Sequence, residues 1–145
     1  MPAFREGGVK MHELKLDEAS LDALPEVIAF VDSHLEEAGW PLKSQMQIDV
    51  AIEELYVNIV HYAYVPETGP ALIRMEFEDE STVRFTLIDE GIPFDPTKQQ
   101  DPDTSLPAAQ REIGGLGIYM VKKSMDGMSY RRENGNNVLT VWKKR

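Results

Sequence analysis

The sequence contains no cysteine, so neither a disulfide framework nor a thiolate metal site can be built from it. No apolar run approaches the roughly 18–20 residues that span a bilayer. Met1–Lys10 lacks the apolar stretch of a secretory signal. A cytoplasmic location with no membrane partner is therefore the expectation. Positive charge is scarce: 15 Lys and Arg face 25 Asp and Glu, for a formal net charge of -10. The cations gather at Lys122–Lys123, Arg131–Arg132 and Lys143–Lys144–Arg145, all of which read as solvated surface. A chain this acidic is not expected to bind nucleic acid directly. Internal repeats and low-complexity tracts are absent as well. What remains is 145 residues, 42% hydrophobic and 28% charged, the size and balance of one globular domain spanning residues 1–145.

Residues 1–8 read as a loose N-terminus, and Val9–Leu16 alternates as a strand does, with Val9, Met11, Leu14 and Leu16 apolar. Ser20 or Asp22 is placed to cap a helix in which Leu24, Ile28, Val31 and Leu35 recur at helical spacing. Pro25 fits only its first turn and Gly39 ends it. A second helix runs from Pro41 to about Tyr64, before Pro66. Ala71–Glu78 and Thr82–Asp89 alternate as two strands around an Asp79–Glu80–Ser81 turn. Residues 91–113 hold Pro93, Pro96, Pro102 and Pro107 among polar residues. A connector this long, against a usual limit of about 12–15 residues, is a functional lid or disordered. Gly114–Gly115–Leu116–Gly117 then leads into a short helix, Ile118–Met125. Strands Met128–Glu133 and Val138–Lys143 flank an Asn134–Gly135 turn. The order predicts an α/β two-layer sandwich: a mixed, mostly antiparallel sheet with helices on one face.

Three places carry chemistry. On the second helix, Ile48, Ile52, Leu55 and Ile59 form an apolar stripe and Val50 and Val57 lie on the other side. Between them Glu54 and Asn58 stand four residues apart, one above the other, with His61 a turn further on. Leaving such groups buried and unpaired would cost roughly 1–3 kcal/mol each. A partner side chain, water, or a cation with its ligand must satisfy them, and an Asn oxygen suits magnesium. An ordinary hydrogen-bonded pair answers the same pattern. Second, the apolar strand Leu87–Ile88 ends in Asp89–Glu90–Gly91–Ile92–Pro93. A strand-end carboxylate can accept from an exocyclic amine, and glycine lets a flat ring approach; a plain Asp–Gly turn reads the same way. Third, Gly114–Gly115–Leu116–Gly117 opens a helix, where free amides attract phosphate. No Lys–Ser or Lys–Thr follows directly, so it does not match the Walker sequence, and it does not follow a strand, which makes a Rossmann reading poor.

In order and spacing the three together resemble the GHKL ATPase superfamily, which includes gyrase, histidine kinases and mismatch-repair ATPases. Glu53–Tyr64 resembles its N box, Asp89–Asp95 its first glycine box, and Gly115–Ile118 its second. Gly–Gly–Leu–Gly–Ile followed by Met125–Asp126 is similar to the anti-sigma-factor serine kinase branch. The resemblance runs from about Leu16 to Lys143 and implies the Bergerat ATP-binding fold. It implies that Asn58 coordinates magnesium bridging the ATP phosphates. Asp89 binds the adenine amine, with Gly91 beside the ring. Gly115, Leu116 and Gly117 close around the phosphates, Glu54 is the general base, and residues 96–113 are the ATP lid. Two positions depart from the branch. An arginine that reaches the terminal phosphate is replaced by Ile113–Gly114, with Arg111 the nearest candidate. The Gly–Thr common before the last strand reads Gly135–Asn136–Asn137.

The function so implied is that of an ATP-dependent protein serine kinase and anti-sigma factor. Its partners would be a sigma factor and an anti-sigma-factor antagonist that it phosphorylates, with a homodimer implied by analogy alone. A non-catalytic, ATP-gated binding module of the same partner-switching kind is the alternative. A detached histidine-kinase catalytic domain ranks third.

Overall fold

The computed structural model describes residues 3–4, 10–64, 66–98 and 115–145. Six strands form one sheet: β1 (Ala3–Phe4), β2 (Lys10–Leu16), β3 (Ala71–Phe77), β4 (Thr82–Asp89), β5 (Gly127–Glu133) and β6 (Asn136–Lys144). Their order is β1-β2-β3-β4-β6-β5. Every described pairing is antiparallel, so the parallel component that a mixed sheet would need is not seen among them. Three helices accompany the sheet: α1 (Leu24–Glu37), α2 (Leu42–Asn58) and α3 (Gly115–Ser124).

Alternation decides which face of the sheet is covered. In β3 the residues Ala71, Ile73, Met75 and Phe77 are buried and those between them are not. Ile73, Met75 and Phe77 stand opposite Leu87, Phe85 and Val83 of β4, and Leu139 and Val141 of β6 continue the same rows. These residues share one core with Val27, Val31 and Leu35 of α1, with Ile48, Ile52 and Leu55 of α2, and with Ile118 and Val121 of α3. The helices therefore cover a single face, as the alternation predicts. Each such side chain contributes roughly 1.5–3 kcal/mol on burial. No helix among the described residues is long and apolar enough to cross a membrane.

Turn chemistry sets the two hairpins. Asp79 Oδ1 accepts from the Ser81 amide at 2.7 Å and closes the β3–β4 turn. Asn134 and Gly135 have φ of 52° and 81°, the paired positive values that a type I′ hairpin needs. That tight turn keeps β5 beside β6 while β6 pairs along β4, which brings Asn137 opposite Asp89.

Several local expectations are corrected. Val27, not Ile28, is the buried first-turn residue of α1. Ser20 stands before a 3-10 turn, Leu21–Ala23, and neither it nor α1's own N-cap residue, Ala23, makes a side-chain cap bond. Pro25 does sit at the start of α1. The second helix is α-helical only to Asn58 and continues as a π-helical turn, Ile59–Ala63. Val50 stays 42% exposed, and with Leu42 at 70% and Met46 at 60% it forms an open apolar stripe at four-residue spacing. Val57 is only half-buried. The Glu54–Asn58 strip is thus walled by the core on one side only. Pro96–Lys98 is a 3-10 turn, and the rest of the expected lid lies outside the described residues.

Asp32 of α1 and Asp49 of α2 each have a buried Oδ1 without a hydrogen-bond donor among the described residues. Burial first, then the hydrogen bond with Asp32 and the charges of Asp32, Glu36 and Glu53, push Asp49 up to about 8. The folded protein keeps this proton between the usual carboxyl range near 4 and about 8, where the unfolded chain has lost it. Stability should fall as pH rises through that window and level off above it. Asp49→Asn fixes the neutral form and should flatten the decline. It should raise Tm at about pH 8.5 by roughly 3–6 °C, the scale of about 1 kcal/mol for a chain of this size, and change little at about pH 5.5. Solvent screening keeps the effect below the full linkage value. Thermal melts at the two pH values decide; equal slopes for variant and wild type would exclude the shared proton.

Candidate functional site

The end of β4, the start of β6 and the last turns of the second helix meet around a cleft of about 450 Å³, open mouth included. Leu55, Ile59, Leu87 and Leu139 give it an apolar floor, and Asp89, Asn58 and Asn137 are its polar members. Tyr62, Phe94 and Tyr130 add aromatic walls, with the rings of Tyr62 and Phe94 6.4 Å apart between centroids.

Asp89 is 6% exposed. Its Oδ1 accepts from the Gly91 amide at 2.9 Å and from Asn137 Nδ2 at 2.8 Å. Its Oδ2 receives no hydrogen bond among the described residues. One oxygen is therefore saturated by the fold and the other is left as an acceptor at an apolar cleft. Gly91 is required by packing: a Cβ there would overlap the Ala63 carbonyl and its side chain. The π-helical turn supplies that carbonyl, which accepts from the Ile92 amide at 3.0 Å, and such turns are frequent at functional sites. The same turn brings Tyr62 and Ala63 to the cleft and leaves His61 exposed, away from its lining. Tyr64 accepts from the Glu90 amide at 2.7 Å and donates to the Pro70 carbonyl at 2.5 Å, tying the turn after β4 to the chain ahead of β3.

Glu54 and Asn58 share one face of α2, both half-buried, and Asn58 lines the cleft. A Cβ on Gly117 would overlap Glu54 Oε2. This glycine is what lets the first turn of α3 lie against Glu54. A carboxylate is favoured beside the positive end of a helix. Gly115, Leu116 and Gly117 belong to that first turn rather than preceding the helix, so their amides are among those without an intrahelical partner. Among the described residues no group of three or more His, Cys, Asp or Glu could cage a metal by itself. Arg111 lies outside the described residues. The structure thus places Asn58 and Asp89 on one cleft, with the Gly91 amide bonded to Asp89, and sets Glu54, one turn before Asn58, against the start of α3.

Sequence reasoning gave no role to Tyr130, Tyr62 or Phe94 and met Asn137 only within Gly135–Asn136–Asn137, the departure from Gly–Thr. The signal for Asn137 lay in pairing: a polar residue opening the final strand meets an acid closing β4 once the two strands are neighbours.

An antiparallel sheet with one helical layer, an acid closing β4 at a cleft, and a glycine-opened helix packed on Glu54 of α2 are the marks of a histidine kinase-like ATPase domain. The model of the histidine kinase-like ATPase domain matches residues 18–143, and the chain belongs to that family. It is 27% identical over 103 residues to the serine/threonine-protein kinase BtrW of Bordetella bronchiseptica, covering 70% of this chain and 72% of that protein. It is 28% identical over 93 residues to the serine-protein kinase RsbW of Staphylococcus aureus, covering 59% of this chain and 57% of that one. The crystal structure of the RsbU and RsbW domains of a Mycobacterium tuberculosis protein superposes with a TM-score of 0.65 at 18% identity. It covers 92% of this chain and 33% of that chain, a likeness of fold.

Proposed function

We propose that this protein binds ATP with magnesium in the cleft and transfers the terminal phosphoryl group to a serine of an anti-sigma-factor antagonist, acting as an anti-sigma factor when that antagonist is not bound. The observation that carries the reading is the division of labour in the cleft. Asp89 offers one free acceptor oxygen at the apolar end, while Asn58 lines the cleft and Glu54, one turn before it, lies against the start of α3.

The adenine amine donates to Asp89 Oδ2, and the ring lies beside Gly91, where no side chain intervenes. The amides of Gly115, Leu116 and Gly117 take phosphate oxygens, with Arg111 supplied from the lid to the terminal phosphate. Asn58 would hold magnesium through its side-chain oxygen. Magnesium takes one or two protein ligands and completes its shell with phosphates and water, so a single side-chain oxygen suffices. When bound, that ion neutralises phosphate charge beside the Glu54 carboxylate. Glu54 accepts the serine hydroxyl proton as the serine oxygen bonds the phosphorus and the bond to the ADP oxygen breaks. Phosphoryl transfer asks mainly for positioning and charge stabilisation, which so small a site can supply. The names of the relatives, serine kinases of 27–28% identity, support the acceptor class.

The replacement of the lid arginine by Ile113–Gly114 favours a second reading, an ATP-gated module that binds its partners without transferring phosphate. Incubation of the chain with labelled ATP, magnesium and an antagonist encoded beside it tests both. Label on a serine of the antagonist supports the kinase. ATP-dependent binding with no transfer supports the module, and the absence of ATP binding sinks both.

A further inference from the structure

The network behind Asp89 points to Asn137, which the sequence reading met only within the departure Gly135–Asn136–Asn137 and gave no role. We infer that Asn137, supported by Tyr130, is a positioning residue that locks the Asp89 carboxylate with one oxygen outward, so that recognition of the base rests on its 6-amino group. This inference rests on the ATP reading of the cleft.

A carboxamide has two donor hydrogens and two acceptor sites. In Asn137 all four are taken. Nδ2 donates to Asp89 Oδ1 at 2.8 Å and to the Ile92 carbonyl at 2.8 Å. Oδ1 accepts from the Phe94 amide at 3.3 Å and from the Tyr130 hydroxyl at 2.5 Å. The side chain is 5% exposed and lines the cleft, yet it keeps no donor for a ring nitrogen. A single hydroxyl in its place could not make these four bonds.

Two consequences follow from the same geometry. Asp89 Oδ1 already has two donors, from Gly91 and Asn137, so the carboxylate cannot turn to exchange its oxygens without breaking both. Oδ2 is then the fixed reading atom. The turn that carries Ile92 and Phe94 is also anchored from the β5–β6 hairpin. Asn137 holds Ile92 and Phe94, while Arg132, its cross-strand neighbour, donates from Nη1 to the Gly91 carbonyl at 2.7 Å. The wall of the cleft and its reading atom are thus set by one side chain. A 6-oxo purine would bring an acceptor against Oδ2, and Asn137 has no hydrogen left to answer it.

The test compares ATP with inosine triphosphate, which carries an oxygen in place of the 6-amino group. Dissociation constants in magnesium buffer are measured by calorimetry for the wild type, Asn137→Ala and Tyr130→Phe, with the melting temperature of each nucleotide-free protein. The wild type should prefer ATP by about 100-fold or more. Asn137→Ala should cut that ratio at least about tenfold, mainly through weaker ATP binding. Tyr130→Phe, which removes one supporting bond and keeps the ring, should cut it about two- to fivefold. A purely structural role would weaken both nucleotides by one common factor and leave the ratio unchanged. If Asn137→Ala does not fold, Tyr130→Phe carries the decision. An unchanged ratio in a folded variant overturns the positioning role while leaving the ATP reading intact. A wild type that binds the two nucleotides equally, or neither, overturns both.

Discussion

Asp89→Asn should weaken ATP binding by roughly 30- to 1,000-fold, about 2–4 kcal/mol, and should turn the preference toward inosine or guanosine triphosphate. The argument lies in what surrounds the side chain. Both groups at the Oδ1 position, the Gly91 amide and Asn137 Nδ2, are donors. The new carboxamide must place its oxygen there, because an NH2 group would face two donors. Its NH2 is then forced into the place of Oδ2, toward the cleft. A donor now meets the adenine amine, and the same donor suits a 6-oxo group. Calorimetric titration of variant and wild type with ATP and inosine triphosphate measures both effects. An unchanged ATP affinity, or a loss with no gain for the oxo nucleotide, would remove Asp89 from base recognition.

Glu54→Gln should lower phosphoryl transfer by about 10²–10⁴-fold and leave ATP affinity within about threefold. Glu54 packs against the first turn of α3 at Gly117, and glutamine keeps that shape. What it loses is the capacity to take a proton at the point where the terminal phosphate would meet an incoming hydroxyl. Single-turnover formation of phosphoserine on the antagonist, with a parallel nucleotide titration, separates the two quantities. Transfer retained within about threefold would place the proton acceptor elsewhere. A joint loss of transfer and nucleotide binding would make Glu54 part of the phosphate and metal site instead.

β3 and β4 were legible because their apolar residues fall on one face: Ile73, Met75 and Phe77 in β3 and Val83, Phe85 and Leu87 in β4 alternate along the strand. The Asn134–Gly135 turn was legible because few residue pairs adopt two positive φ values. The stripe Ile48, Ile52, Leu55 and Ile59 oriented α2 correctly. Less was legible where a feature depends on a distant partner. Val50 reads as core by hydrophobicity, and its exposure follows from which helix faces lie beside it. The π-helical turn depends on the approach of Gly91 and Ile92 to the Ala63 carbonyl, a contact between segments nearly 30 residues apart. At the site, Glu54, Asn58, Asp89 and Gly91 came from motif spacing, whereas Asn137 gains its role only through the pairing of β4 with β6.

The sheet order has a consequence for how the molecule is made. β6 lies between β4 and β5, although it follows every other strand in the chain. During synthesis from the N-terminus, β3 and β4 can pair as a local hairpin, and β2 can join β3 across the two intervening helices, while β4 still has a bare edge. Such an edge is an aggregation hazard until it is covered. Asp89 emerges with its acceptor oxygens unanswered by Asn137, 48 residues further on. The Asp89–Asn137 contact forms only when the final hairpin docks along β4, a non-local event that carries the loop-closure entropy of the intervening segment. A nascent chain stalled before β6 would own the N-box helix and the acid of the first glycine box and still have no nucleotide site.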